Sequence, residues 1–348
     1  MQKITLFNKE GYVDIPKILQ MGPTFIFIYG GRGTGKTYGT LKHFIKSHSK
    51  FIYLRRLQSQ VDIVKRDDMQ PFKTINTDCG WSIRPFPLNK YVSYFAESET
   101  DENGKVHPKG DSLGLLTSLS TFSNLRGFDG SDIELMCLDE FIPELNERPI
   151  KGEAEALFNA YETINRNREL KGQKPVQMIC LANSNRIDSP LFMELNLVTQ
   201  AEKIRKQGKD FYYDPKRSML LIDLYKSKIS EQKSETALYR LTRGTEFYGM
   251  SIKNAFMHEE RGRIEKKPIK EYKPIVCVGE ITIYKHKSKD EYFVTQHRSG
   301  SPDTYGAGPK DLLRFKRRYL HIWTAYMQKR VVFEEYICEI LFDKYYNT

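Results

Sequence analysis

The stretch Gly30-Gly31-Arg32-Gly33-Thr34-Gly35-Lys36-Thr37 matches G-x-x-x-x-G-K-[ST] at every specified position. The residues before it, Gly22-Pro23-Thr24-Phe25-Ile26-Phe27-Ile28-Tyr29, end in a short β-rich apolar run, and Tyr38–Ser47 is compatible with a helix. Strand, glycine loop and helix in that order make a phosphate site. Backbone N–H groups close around phosphate oxygens, and the helix N-terminus adds partial positive charge. Gly30, Gly31, Arg32, Gly33, Thr34 and Gly35 would form the cradle, Lys36 would reach the β- and γ-phosphates, and Thr37 would ligate Mg²⁺. The expectation is a protein that binds and hydrolyses a nucleoside triphosphate. The competing reading, a glycine-rich turn that binds nothing, does not explain the full pattern in this context.

The chain of 348 residues is long enough for two domains. Hydrophobic residues make up 39% and charged residues 28%, which suits a globular protein. There is no apolar run of about 18 residues, so no membrane partner is expected, and Met1-Gln2-Lys3-Ile4-Thr5-Leu6 does not read as a secretory signal. Five scattered cysteines, with no C-x-x-C and no Cys/His ligand spacing, point to a reducing, intracellular setting without a zinc site. Cys137 and Cys180 sit in apolar runs and read as buried thiols. The net charge of +11 favours a polyanionic partner, most simply nucleic acid, although a merely basic surface would give the same count.

From Thr24 to about Asn185 the pattern is α/β. Near-continuous apolar runs at Thr24–Tyr29, Lys50–Leu54, Leu113–Leu119, Glu134–Leu138 and Val176–Leu181 predict strands covered on both faces. Glu153–Arg168 predicts a helix with Ala154, Leu157, Tyr161 and Ile164 facing inward. Asp101–Asp111 reads as a surface hairpin or loop. A P-loop domain is expected over residues 1–198, a basic linker subdomain over 199–254, and a C-terminal domain over 255–348. In the last, Ile275–Tyr284 and Glu291–Thr295 predict strands, and Lys310–Gln328 and Val331–Tyr345 predict helices.

Glu134-Leu135-Met136-Cys137-Leu138-Asp139-Glu140 is an apolar strand running into two acids, the Walker B pattern. Asp139 would hold the Mg²⁺ shell and Glu140 would act as general base toward the attacking water. The second acid is usual in motors and multisubunit ATPases, and no N-K-x-D guanine signature stands out, so ATP is favoured over GTP. Arg166 and, second, Arg168 lie at the expected end of the 153–168 helix. Each reads either as a residue aimed at a neighbouring subunit's γ-phosphate or as a solvated helix C-terminus. Asn183 follows a strand and reads either as a γ-phosphate sensor or as a turn asparagine. Arg55-Arg56 and Arg126 could touch phosphate, in their own subunit or a neighbour's, or DNA, but taken singly each reads more simply as surface charge. Basic clusters at Lys203/Arg205/Lys206/Lys209, Arg261–Lys273 and Arg314–Arg318 are candidates for DNA-backbone contacts without sequence reading.

Gly30–Thr37, Phe51-Ile52-Tyr53-Leu54-Arg55-Arg56, Leu138-Asp139-Glu140-Phe141-Ile142, Arg166-Asn167-Arg168-Glu169 and Ile179-Cys180-Leu181-Ala182-Asn183, in this order, resemble the DNA-packaging ATPases of the phi29-like protein-primed tailed phages. Arg243–Ser251 extends the similarity more weakly. The resemblance implies an additional-strand, conserved-glutamate P-loop ATPase domain, a small linker domain and a C-terminal ribonuclease H-like α+β domain. It implies a homomeric ring, typically a pentamer, at the portal vertex of a procapsid in the host cytoplasm. ATP and Mg²⁺ would drive double-stranded DNA inward, with a structural RNA as a further partner in some relatives. Carried across, the trans-acting arginine falls on Arg166, with Arg126 as a second candidate. Broader terminase relatives cut DNA with a two-metal carboxylate cluster. Glu280, Asp290, Glu291, Asp303, Asp311, Glu334 and Glu335 lack convincing spacing for one, so no nuclease is expected. The alternatives are a large terminase that is both motor and nuclease, and an assembly protein whose nucleotide is structural.

Overall fold

The apolar runs of the first half become parallel strands because both of their faces are covered. The structure, a computed structural model, describes residues 5–125, 127–143, 147, 150–183, 187, 189–245, 248–249, 263–300 and 302–347. The strands of the larger sheet are β1 (Phe25–Tyr29), β2 (Lys50–Arg55), β3 (Ile83–Pro87), β4 (Ser93–Thr100), β5 (Val106–Ser118), β6 (Ile133–Asp139), β7 (Gln177–Ala182), β8 (Phe211–Asp214) and β9 (Met219–Asp223). Their order is β3-β4-β5-β2-β6-β7-β1-β9-β8. The six inner strands, β5 to β9 in that order, run parallel, and β4 and β8 attach antiparallel at the two flanks. All six therefore end at one edge of the sheet, where their loops gather.

One face packs Ile26, Ile28, Phe51, Tyr53, Cys137, Ile179 and Leu181 against Leu41 and Phe44 of the Lys36–Lys46 helix. The other packs Phe27 edge-on to Phe141, with Phe141 stacked on Phe192. Gly114 on β5 is dictated by this packing, since a Cβ there would stand 2.7 Å from the Phe51 ring.

The chain divides into two compact units, Met1–Leu195 with Ile204–Ala255, and Asn196–Lys203 with Phe256–Thr348. This departs from the expected boundary at 198/199. Met219-Leu220-Leu221-Ile222-Asp223 is buried and pairs in register with β1, so this part of the expected linker belongs to the first sheet. In the second unit, β11 (Tyr272–Val278), β12 (Ile281–His286) and β13 (Tyr292–Thr295) form an antiparallel meander. It is extended in parallel by β14 (Asp303–Tyr305) beside β11, and by β15 (Val331–Phe333) beside β13, with β10 (Arg263–Ile264) outermost. Helices Pro309–Met327 and Tyr336–Asn347 accompany this sheet.

Two helix expectations need correction. Val331–Tyr345 is not one helix, because buried, β-rich Val331-Val332-Phe333 pairs with β13 and the helix starts only at Tyr336. The helix from Glu153 ends at Asn165, because Arg166 takes a left-handed φ of 48°. Asp101–Asp111 does form a hairpin, though Val106–Asp111 is already strand.

Candidate active site at the phosphate loop

Gly30 leaves β1 with φ of 140°, and Gly33 and Gly35 follow at 71° and 87°, so the loop turns where only glycine turns without strain. Lys36 begins the helix and folds back into the loop. Its Nζ donates to the Gly30 carbonyl at 3.0 Å, the Gly31 carbonyl at 2.8 Å and Thr34 Oγ1 at 3.2 Å. Burial draws the Lys36 pKa down to about 7; Asp139 opposes this, while Lys233 and Arg32 add to it. A buried ammonium beside two other cations, bonded only to neutral oxygens, suits an incoming polyphosphate.

Asp139 ends β6 and is held by three side chains, one from the Lys36–Lys46 helix and two from β2. Thr37 Oγ1 donates to its Oδ2 at 2.9 Å, Tyr53 Oη donates to the same oxygen at 2.6 Å, and Arg55 Nη1 lies 3.4 Å away. Its Oδ1 takes the Glu140 N–H at 3.0 Å. The two residues expected to share Mg²⁺ thus already meet across 102 positions of sequence. A carboxylate and a hydroxyl together are hard oxygen donors of the kind that cation selects.

Glu140 sits one residue on, at φ of 61°. That strained turn is accompanied by a direct ion pair with Arg55 Nη2. The Arg55 guanidinium is largely buried. Burial alone would lower its pKa, but Tyr53, Asp139 and Glu140 raise it, and it stays charged. In the sequence Arg55 reads as a phosphate or DNA contact or, more simply, as surface charge; in the fold it clamps both acids. Arg56 is fully buried and points elsewhere, pairing with Glu153, with Nη2–Oε2 at 2.8 Å, and with Glu147. Tyr53 and Lys233 carried no local signal at all, since their partners lie 86 and 201 residues away.

Asn183 follows β7, which lies between β1 and β6, so it stands at the same sheet edge as the loop and the acids. A cavity of about 680 Å³ opens beside Gly33 and Gly35, lined by Tyr12, Tyr38 and Lys42 among others.

Arg166 and Arg168 are not part of this cluster. Arg166 Nη2 donates to the Phe128 carbonyl at 2.6 Å, and Arg168 Nη2 to the Ser131 carbonyl at 2.7 Å. Both carbonyls precede β6, a strand of seven residues that runs away from them to Asp139. At about 3.3 Å per residue, roughly 20 Å separates the arginines from the acids of their own chain. Arg126 lies outside the described residues. Among the basic clusters, Arg205 is committed inside the first unit, with Nε 2.6 Å from buried Asp223.

The carboxylates of the second unit are each engaged separately. Asp290 pairs with Lys285 and Arg330, Glu291 takes the Tyr272 hydroxyl at 2.6 Å, Asp303 takes the Tyr319 hydroxyl at 2.7 Å, and Glu334 takes the Thr295 hydroxyl. Glu280 lies exposed in the turn between β11 and β12 rather than on a strand. Among the described residues, no group of three or more His, Cys, Asp or Glu side chains gathers as a metal site, and no helix is long and apolar enough to cross a membrane.

A parallel α/β sheet, a phosphate loop at its strand ends and an acid pair beside it define a phosphate-loop nucleotide-binding protein of the NTPase type. The chain belongs to the podovirus DNA encapsidation protein (Gp16) family, whose model matches residues 88–287. It is 27% identical over 274 residues to the DNA packaging protein of Bacillus phage phi29, covering 77% of this chain and 70% of that one. It is 29% identical over 247 residues to the DNA packaging protein of Bacillus phage B103, covering 69% and 67%. Among solved structures it is similar to the bacteriophage Phi-29 viral genome packaging motor assembly, at a TM-score of 0.62 and 21% identity over 98% of this chain and 100% of that one. The Phi-28 gp11 DNA packaging motor matches at a TM-score of 0.60 and 18% identity, covering 97% and 98%. The resemblance read from the motifs is borne out.

Proposed function

We propose that this chain hydrolyses ATP, with Mg²⁺, to drive double-stranded DNA into a preformed viral capsid, acting as one subunit of a homomeric ring. The observation that carries the reading is the meeting of Thr37 and Asp139 at 2.9 Å, with Lys36 and Glu140 on either side, in a chain of this family. The position of β7 between β1 and β6 supports the additional-strand, conserved-glutamate class. The meander of the second unit, with parallel strands and two helices, supports a ribonuclease H-like origin for residues 255–348.

In this reading Gly30–Lys36 bind the triphosphate, Thr37 and Asp139 hold Mg²⁺, and Asn183 faces the γ-phosphate. Mg²⁺, when bound, neutralises charge on the phosphate oxygens. Lys36 Nζ leaves the Gly30 and Gly31 carbonyls for phosphate oxygens. The Glu140 carboxylate takes the proton of the attacking water, which requires Arg55 to loosen its hold on that side chain. Arg166, with Arg168 and Arg126 as the other candidates, acts on a neighbouring subunit's nucleotide. The ring is a pentamer at the capsid portal in the host cytoplasm, and basic residues of the chain grip DNA without reading its sequence.

The test is ATP-dependent uptake of double-stranded DNA into procapsids, comparing wild type with Glu140→Gln. Loss of uptake together with ATPase supports the motor. Uptake unimpaired in Glu140→Gln would make the nucleotide structural. Metal-dependent plasmid cleavage lost in Glu280→Ala would instead mark a terminase with its own nuclease.

A further inference from the structure

Three cations approach the phosphate loop, and only two belong to it. Arg32 and Lys36 are loop residues; Lys233 ends the short helix Lys228–Lys233, 201 residues beyond Arg32. Its Nζ donates to the Arg32 carbonyl at 2.6 Å. It also stands 2.1 Å from where a Cβ on Gly33 would be, so the ammonium takes the space that this glycine leaves.

The approach is built into the fold. The Leu224 N–H donates to the Tyr29 carbonyl at 3.0 Å, tying the chain leaving β9 to the last residue of β1. Leu224 Cβ lies 2.8 Å from the Cβ position of Gly30. Ile229 and Ser230 bury the inner side of the helix. The segment from Leu224 to Lys233 therefore covers the loop from Gly30 to Gly33. The partner that Lys233 has there is a neutral carbonyl, the same kind of partner that Lys36 has. Two ammonium groups satisfied only by oxygens of one glycine loop are an arrangement that an oxyanion relieves.

We propose that Lys233 is a second phosphate-binding lysine of the nucleotide site, acting in its own chain, so that the Leu224–Lys233 segment follows the occupancy of the terminal phosphate. The inference rests on reading Gly30–Thr37 as a nucleotide site. On binding, Lys233 Nζ exchanges the Arg32 carbonyl for a phosphate oxygen. The selectivity that follows is for triphosphate over diphosphate, because the terminal phosphate is the one that Lys233 would hold together with Lys36.

The test is calorimetric binding of MgATP and MgADP to the full chain, comparing wild type, Lys233→Ala, Lys233→Arg and Lys228→Ala. Lys228 is exposed on the same helix and controls for net charge. Lys233→Ala is expected to bind ATP about tenfold more weakly and ADP nearly as wild type, with Lys233→Arg recovering most of the loss. An ATP affinity unchanged in Lys233→Ala, or lowered equally in Lys228→Ala, overturns the inference. Hydrogen exchange on wild type needs no variant: ATP should protect residues 224–236, and unchanged exchange also overturns it. A wild type that binds neither nucleotide sinks the nucleotide site itself, which is a different failure.

Discussion

The two ends of the larger sheet are built differently. At the end where the parallel strands finish, buried Lys36, Asp139 and Tyr53 and largely buried Arg55 are bonded to one another or to loop oxygens. At the opposite end, Arg166 is 49% exposed in its side chain and holds a backbone carbonyl, with Asp129 3.6 Å away. The first end is a site that one chain completes for itself, apart from its ligand. The second offers cations that their own chain can satisfy but cannot use, since the acids lie roughly 20 Å off. Under the proposed function, Arg166 serves the γ-phosphate of a second copy of the chain.

The contrast can be broken at either end. Arg166→Ala is expected to lower DNA-stimulated ATP hydrolysis by about 10³-fold while leaving ATP affinity unchanged, as measured by turnover and by calorimetry. Glu140→Gln is expected to lower turnover by about 10²- to 10⁴-fold, also with ATP still bound. Under the proposed function the two variants fail for different reasons: one lacks the base, and the other lacks the group lent to its neighbour.

Stability should show the reverse order. Arg56→Ala leaves buried Glu153 without its bidentate partner and is expected to cost about 3–5 kcal/mol in denaturant unfolding. Arg166→Ala, half-exposed, should cost under about 1 kcal/mol. If Arg166→Ala unfolds as easily as Arg56→Ala, the second end is structural and the contrast is lost.

The smallest effect is a proton. The unfolded chain keeps the Lys36 proton to the usual lysine value, whereas the folded, nucleotide-free chain releases it near 7. Between those values the unfolded state binds more protons, so this group makes stability rise with pH from about 7 upward. Phosphate raises the lysine's pKa again. ATP binding at pH 8 should therefore take up close to one proton, and at pH 6 almost none. Calorimetry in buffers of different ionisation enthalpy reads the uptake directly, and Lys36→Ala should abolish it.

The loop end was legible where its chemistry is local. Gly30–Thr37 and Leu138-Asp139-Glu140 carry their own patterns, and β1, β2, β6 and β7 follow from uninterrupted apolar runs. Tyr53, Arg55 and Lys233 were not legible in those roles, because each acquires its partner through strand order or a return of the chain, and neither leaves a spacing in sequence. Met219–Asp223 falls inside the expected linker, since nothing local tells a strand of this sheet from a strand of its own. Val331–Phe333 was absorbed into a helix because three β-type residues run directly into a helical pattern. Asn-Arg-Asn-Arg marks Arg166 by its motif, but nothing in it foretells the positive φ that ends the helix there.

The most direct measurement is ATPase rate against protein concentration, with double-stranded DNA, for Glu140→Gln, Arg166→Ala and an equal mixture of the two. The mixture should recover activity that neither variant has, because each supplies the other's missing group across a subunit boundary. A mixture no more active than its parts, or an Arg166→Ala protein equal to wild type at every concentration, would contradict the assignment.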